Sequence, residues 1–480
     1  MLIQRLCKLL FRSGLILLLI AVFWSCSFFG NRKKDQYIPV QFDLKQEVGP
    51  FEGVGANVPI SFYSRRMKAL QSFNDLGIKF IRVKRTSDNW NDLLALRSAT
   101  TRLGIKWIYS LDVIPAHFIN DHGQLVDVEG FAGWWAEEVD ELLYQDVPAD
   151  FIELLDRPDI AKPDSLQLTP DQFNELLHVT RRELDLRDFQ QVAILGPALS
   201  NPGISGEMET WYMALDQQAY DIVDRWTLNI QQDRNENGDF SPAFGNLIEY
   251  LEQIESLKRI FVTSYASSTT KFGTNQYPDP EHYDVLGNLG SFETYYYSAS
   301  FTMPYGLRLY SNTLDLLGQK GVVPFIYQLY DAPADVKYLK KSRGLLDLNG
   351  VPKPAFTLLS LLLKKIPNKA TIVKANPPLQ NGLNTLVFKN QDQILFTLSN
   401  EKEESQSMQI SLAGAGRSIE ILSAYQCQAT HIYAAELGKR DDLEVKEVEI
   451  KVRYDGVSKC QVFTVIMAPQ STFVAEFSYR

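Results

Sequence analysis

The stretch FIELLDRPDI, residues 151 to 160, sets charged side chains where α/β proteins do chemistry. Phe151, Ile152, Leu154 and Leu155 make a strand candidate, and the turn at Pro158 delivers Asp156, Arg157 and Asp159 to the strand's C-terminal end, where α/β barrels carry their sites. Glu207, Glu209 and Asp331 also lie near predicted strand ends. Carboxyl groups facing one another across such a mouth can do general acid/base work, one giving a proton while the other takes one. Asp156, Glu207, Glu209 and Asp331 are therefore the carboxylates open to that role. Arg157 is not a proton shuttle, because a guanidinium stays protonated far above neutral pH.

A second constellation lies in DRNENGDFS, where Asp233, Asn235, Asn237 and Asp239 alternate, with Gly238 at the turn, as in the first half of an EF-hand loop. The twelfth position is Phe244 where an EF-hand has a bidentate Glu, so a Ca²⁺ loop and a solvated Asx-rich turn both remain open. His117, His122, His178, His282 and His431 show no metal-ligand spacing, and no other cofactor is called for.

The elements that must position these residues follow from the pattern of apolar runs. Strand candidates cover 51–57, 78–85, 105–113, 150–156, 192–200, 223–230, 259–266 and 322–331, with helical stretches at 60–76, 88–103, 131–145 and 170–186. The last helix opens with Thr169 as N-cap and Pro170 at its first position. Eight strands alternating with helices predict an α/β fold, a parallel (β/α)8 TIM barrel over residues 46–366, with an open doubly wound sheet as the other solution. From 367 to 480 the rhythm changes to period-two runs such as QILFTLSN and CQVFTVIMA, which predicts a C-terminal antiparallel β-sandwich without helices. YIPVQFDL, at 37–44, is a further strand candidate for that sandwich.

The net charge of −10 excludes an extended nucleic-acid or anionic-lipid surface, and the 45% hydrophobic content is that of an ordinary globular chain. Residues 1–26 read as an export segment, with Arg5, Lys8 and Arg12 ahead of the apolar run from Leu15 to Trp24. FWSC ends in Ser25 and Cys26, a lipobox-like site at which Cys26 would be lipidated and residues 27–45 would serve as tether and first strand; a plain signal peptide or an uncleaved anchor are the alternatives. The localisation expected is thus export, as an envelope lipoprotein or a secreted protein. In that compartment Cys427 and Cys460 are permitted to form a disulfide.

FEGVGAN, IELLDRPD, ILGPALS, YQLYDAP with GLLDLNGVPKPAF, and APQSTFVAEF together resemble the clan A glycoside hydrolases, particularly the xylosidase and glucosylceramidase-like families that join a barrel to a β-sandwich. The resemblance implies a retaining mechanism with glutamates on the fourth and seventh strands. It places the acid/base on Arg157, the preceding asparagine on Asp156 and the nucleophile on Ser264, while the sixth strand has Asn229 and Gln231 where the family often carries His and Tyr. It further implies a substrate-binding set of Arg82, Asp156, Arg157, Asn229, Gln231, Ser264, Tyr265 and Tyr327. Arg157 reads equally as a salt-bridged structural residue, Arg82 as a core ion pair, and Trp107, Trp134, Trp135, Trp211 and Trp226 as core or as sugar-stacking rings.

The expectation is a glycoside hydrolase-like protein that binds or acts on extracellular polysaccharide, acidic polymers included, without the standard retaining pair, and that meets the membrane through its lipid anchor and no nucleic acid. An active glycosidase using other carboxylates, or a structural envelope lipoprotein without a sugar site, are the competing readings.

Overall fold

In the computed structural model, the residues described are 37–59, 67–84, 90–111, 114–120, 125–160, 168–200, 207–230, 242–253, 258–266, 299–331, 343–379, 382–416, 418–431 and 441–479. Two strands come first, β1 (Ile38–Asp43) and β2 (Glu47–Pro50). The next eight are β3 (Gly55–Val58), β4 (Phe80–Lys84), β5 (Lys106–Ser110), β6 (Phe151–Glu153), β7 (Ala193–Leu199), β8 (Val223–Ile230), β9 (Ile260–Tyr265) and β10 (Val322–Ile326). All are parallel, and they close into a barrel when β10 pairs with β3. The helices packed around it are α1 (Met67–Leu76), α2 (Trp90–Thr101), α3 (Val128–Tyr144), α4 (Pro170–Leu186), α5 (Glu207–Gln218), α6 (Pro242–Gln253), α7 (Met303–Leu317) and α8 (Pro354–Leu363). The start of α4 is fixed as its sequence predicts: Thr169 and Gln172 cap one another's backbone N–H groups, and Pro170 follows at the first turn.

The barrel interior is layered. Phe80, Phe151, Phe261 and Phe325 meet edge-on or tilted at its N-terminal end, with Ile108, Leu195 and Val323 among them. Gly55 makes room for this floor, since a Cβ there would stand 2.3 Å from the Phe325 ring. Side chains alternate along a strand, so two residues beyond each floor phenylalanine the next inward layer begins. On β4 that residue is Arg82, and on β6 it is Glu153.

The strands that follow are β11 (Thr371–Lys374), β12 (Leu383–Lys389), β13 (Gln393–Asn400), β14 (Gln406–Ala413), β15 (Ile419–His431), β16 (Asp442–Glu447), β17 (Arg453–Asp455), β18 (Cys460–Met467) and β19 (Ser471–Tyr479). They form a seven-stranded sheet, β16-β15-β19-β13-β12-β11-β2, and a four-stranded sheet, β1-β14-β18-β17. The strand expected at 37–44 does join this sandwich, running parallel to β14. The reading of residues 46–366 as barrel needs one correction: Glu47–Pro50 pairs with β11 in the seven-stranded sheet. Its alternation is too short, at four residues, to mark it as a strand by pattern alone.

One face of the seven-stranded sheet packs on the four-stranded sheet through Phe396, Leu398, Phe463 and Phe477. The other joins the barrel's core, with Phe388, Leu395, Cys427 and Val474 continuous with the helix layer. Ser311 Oγ on α7 lies 2.8 Å from Ser399 Oγ, and Tyr310 OH bonds Thr397, so the polar atoms at this seam are matched. The disulfide between Cys427 and Cys460 does not form; both are buried free thiols. Cys427 faces the barrel from one sheet, whereas Cys460 belongs to the other sheet, behind the opposite face.

Candidate functional site

Above the phenylalanine floor lies a layer of charge. Arg82, 2% exposed, donates from Nη1 to Asn57 Oδ1 at 3.1 Å, and from Nε to Glu153 Oε1 at 2.9 Å. Its Nη2 reaches Asp156 Oδ1 at 2.9 Å and Ser110 Oγ at 3.2 Å, and also meets Glu153 Oε1. Asn57 is itself fixed by donating to the Thr263 carbonyl at 2.8 Å. Ser110 Oγ donates to Glu153 Oε1 at 2.7 Å, while Glu153 Oε2 has no hydrogen-bond partner among the described residues. Burial raises the Glu153 carboxyl above its ordinary value, outweighing the opposing Arg82 charge.

Nearer the opening, Lys84 Nζ lies 2.8 Å from Asp156 Oδ2, and Asn229 Nδ2 lies 3.1 Å from Asp156 Oδ1. Arg157 Nε stands 3.3 Å from the same Oδ2. Burial pushes the Asp156 carboxyl up, yet Arg82, Lys84 and Arg157 together hold it well below the usual range. Asp159 turns away to bind Ser200, through the backbone N–H at 2.9 Å and Oγ at 2.7 Å. Arg157 adopts a left-handed backbone, φ 59°, with its N–H donating to the Ala198 carbonyl at 3.1 Å.

The barrel therefore gathers Arg82, Asp156, Arg157, Asn229 and Ser264 at one end. Ser264 is 4% exposed, stands opposite Asn229 in register, and its hydroxyl has no partner among the described residues. Two further calls are corrected. Tyr265 is no sugar contact: it points out of the barrel, where its hydroxyl lies 2.6 Å from Thr313 Oγ1 on α7. Consecutive strand residues face opposite sides, and the extra β9 residue where Leu228 pairs with Val262 but Asn229 pairs with Ser264 makes Ser264, not Tyr265, continue the inward row of Phe261. Asp331 is not an available carboxylate either, because it is fully buried, 2.5 Å from Lys353 Nζ, and accepts from Gly344 N–H at 2.6 Å.

Tyr327 follows β10 and donates its N–H to the Tyr265 carbonyl at 2.8 Å. Glu207 and Glu209 lie in the first turn of α5, not at a strand end; their side chains, together with Gln231, the loop from Asp233 to Asp239 (Asn235 and Asn237 included) and Cys26, fall outside the described residues. Among the described residues no cluster of His, Cys, Asp and Glu could hold a metal ion. Trp107, Trp135 and Trp226 are core residues without exposure, Trp211 is buried at 6%, and Trp134 stacks on Phe131 at the core's edge.

Sequence reasoning missed Glu153, Asn57, Ser110 and Lys84. Period-two parity was the available signal: once Phe80 and Phe151 point inward, Arg82, Lys84 and Glu153 must as well, and a buried charge needs an opposite one.

Among the described residues the arrangement sets cations around a carboxylate. The ionised Asp156 has no proton to give near neutral pH; three donors hydrogen-bond its two oxygens, and Arg157 stands beside them as a further cation. Glu153 is sealed beneath Arg82. Neither Arg157 nor Ser264 is a carboxylate, so no described pair of accessible carboxyl groups spans the mouth.

No family model matches the chain, and no curated protein is similar to it in sequence. Among solved structures it is similar to a glycoside hydrolase family 30 subfamily 8 xylanase from Clostridium acetobutylicum, with a TM-score of 0.64 and 12% identity over 92% of this chain and 99% of that one. A family 30 endoxylanase from Clostridium papyrosolvens C71 gives 0.65 and 13% over 92% and 100%. A family 39 enzyme from Xanthomonas axonopodis pv. citri gives 0.56 and 12% over 94% and 99%. The chain has the barrel-and-sandwich fold of these clan A enzymes, and at such identities the likeness speaks to fold alone.

Proposed function

We propose that this is an exported protein, held at a membrane through Cys26, that binds polysaccharide at the barrel mouth without hydrolysing it by double displacement. One observation carries the reading: the carboxylate nearest the mouth, Asp156, is enclosed by Arg82, Lys84 and Arg157. A retaining glycosidase needs there a carboxyl group whose proton can leave and return. The fold likeness to xylanases supports a glycan as the ligand class, and the chemistry of the mouth supports binding over turnover.

Isothermal calorimetry and a reducing-sugar assay, run on one panel of plant, algal and microbial polysaccharides, test this together. The expected result is saturable binding to at least one polymer with no release of reducing ends. Robust turnover that Asp156→Asn abolishes would overturn the reading, and absence of binding across the panel would leave the fold without a sugar site.

A further inference from the structure

We propose that the barrel mouth selects an oxyanion carried on the glycan, a uronate carboxylate or a sulfate ester, and that Arg157 grips it from beside Lys84. This rests on the glycan-binding reading above and adds the ligand's charge to it.

The argument begins with what Arg157 does not do. An arginine whose purpose is to neutralise a carboxylate usually meets it with two parallel N–H groups. Arg157 instead approaches through Nε, 3.3 Å from Asp156 Oδ2, and that N–H is not aligned for a hydrogen bond. Its terminal Nη1 and Nη2 make no hydrogen bond among the described residues. The pair of donors best shaped for a carboxylate or sulfate is thus uncommitted, on a side chain that is 27% exposed.

The hydrogen bonds of Asp156 are made without this third cation. Arg82 and Asn229 already serve Oδ1, and Lys84 serves Oδ2. Arg82 is sealed, while Lys84 and Arg157 are each about one quarter exposed, so the cations around Asp156 that face outward are these two. Lys84 Nζ and Arg157 Nε share Oδ2, so the two exposed charges lie side by side.

The backbone points the same way. At φ 59° glycine or asparagine would be more comfortable than arginine. The Ala198 carbonyl secures that conformation through the Arg157 N–H, which aims the side chain from the end of the fourth barrel strand. The protein as a whole carries −10, so attraction at long range works against an acidic polymer. Preference has to arise at contact, and contact charges survive moderate salt better than a diffuse field.

The test compares matched glycans by calorimetry: oligogalacturonate against its carboxyl-reduced form, and a sulfated galactan against its desulfated form. The wild-type protein should bind the charged member of one pair at least tenfold more tightly, and which pair does so separates uronate from sulfate. Arg157→Asn, which suits the left-handed backbone, should erase that difference and leave affinity for the neutral member within about twofold. Arg157→Lys, which keeps charge but loses the fork, should retain part of it. Equal affinity for charged and neutral members in both pairs would overturn the inference while leaving glycan binding intact. Equal loss toward both members in Arg157→Asn, with a lowered melting temperature, would overturn it too and make Arg157 a structural ion-pair residue. Failure to bind any of the four probes, under conditions where another polysaccharide binds, would equally overturn it.

Discussion

Arg82 Nη2 lies 2.9 Å from Asp156 Oδ1, and the same nitrogen meets Glu153, so one sealed guanidinium serves two carboxyl groups from the same strand and its turn. Removing it would leave both without their shared partner. Arg82→Met should therefore cost about 3 to 5 kcal/mol, the usual consequence of uncovering a buried charge. Urea unfolding followed by tryptophan fluorescence measures it, and a loss below about 1 kcal/mol would show that the network contributes little to stability.

Asp156 and Glu153 should leave opposite marks on stability against pH. Burial raises Asp156, but the three neighbouring cations outweigh it and depress the group below 3.8, so the unfolded chain takes up this proton first as pH falls. Its stabilisation is complete above about 3.8 and drains away below. Glu153 is raised above 4.5 by burial, against the pull of Arg82, so the folded chain holds that proton longer. Its contribution is most favourable below 4.5 and is lost as pH climbs through the raised value. Melting curves between about pH 3 and pH 8 should show Asp156→Asn softening the acid-side fall and Glu153→Gln flattening the decline above it. Profiles parallel to the wild type would contradict both assignments.

Cys427 and Cys460 should titrate as two thiols in denaturant, with no change in electrophoretic mobility on reduction. In the folded protein Cys427 should resist a thiol reagent at about pH 8, because burial pushes its thiol up to about 12 and leaves almost no thiolate. Rapid native labelling of Cys427 would refute this.

Cys26→Ser should move the protein from the membrane fraction to the soluble exported fraction with an unchanged melting temperature. Under the proposed lipid anchor, this single substitution removes the acceptor of the chains. Unaltered fractionation would eliminate lipidation as the anchor.

The barrel was legible because each of its eight strands is an apolar run flanked by helical pattern, and the sandwich because β12 to β19 alternate at period two. Site residues were legible only where a strand end announced them, as at Asp156 and Arg157. Glu153 escaped because one charged residue after Phe151 and Ile152 looks like the polar start of a turn, and only barrel closure reveals that it faces Arg82. Asp331 misled for the converse reason: a strand-end carboxylate shows nothing of Lys353, which reaches it from 22 residues further along. Tyr265 was placed on the wrong side by a register shift that leaves no trace in composition.

The two strands that open the described chain pair with strands that come after the barrel, β1 with β14 and β2 with β11. During synthesis from the N-terminus, their partners emerge only after the whole barrel has been made, so the sandwich is completed last and by both ends of the chain at once. Contacts of such long sequence separation are slow to form. Until they do, the sheet face carrying Phe388, Leu395 and Val474 has no edge strand to finish it, and the barrel's helix layer shares that exposure. The protein therefore has no early, self-sufficient half: barrel and sandwich should melt in one cooperative transition, and a truncation after α8 should expose apolar surface instead of releasing a stable barrel.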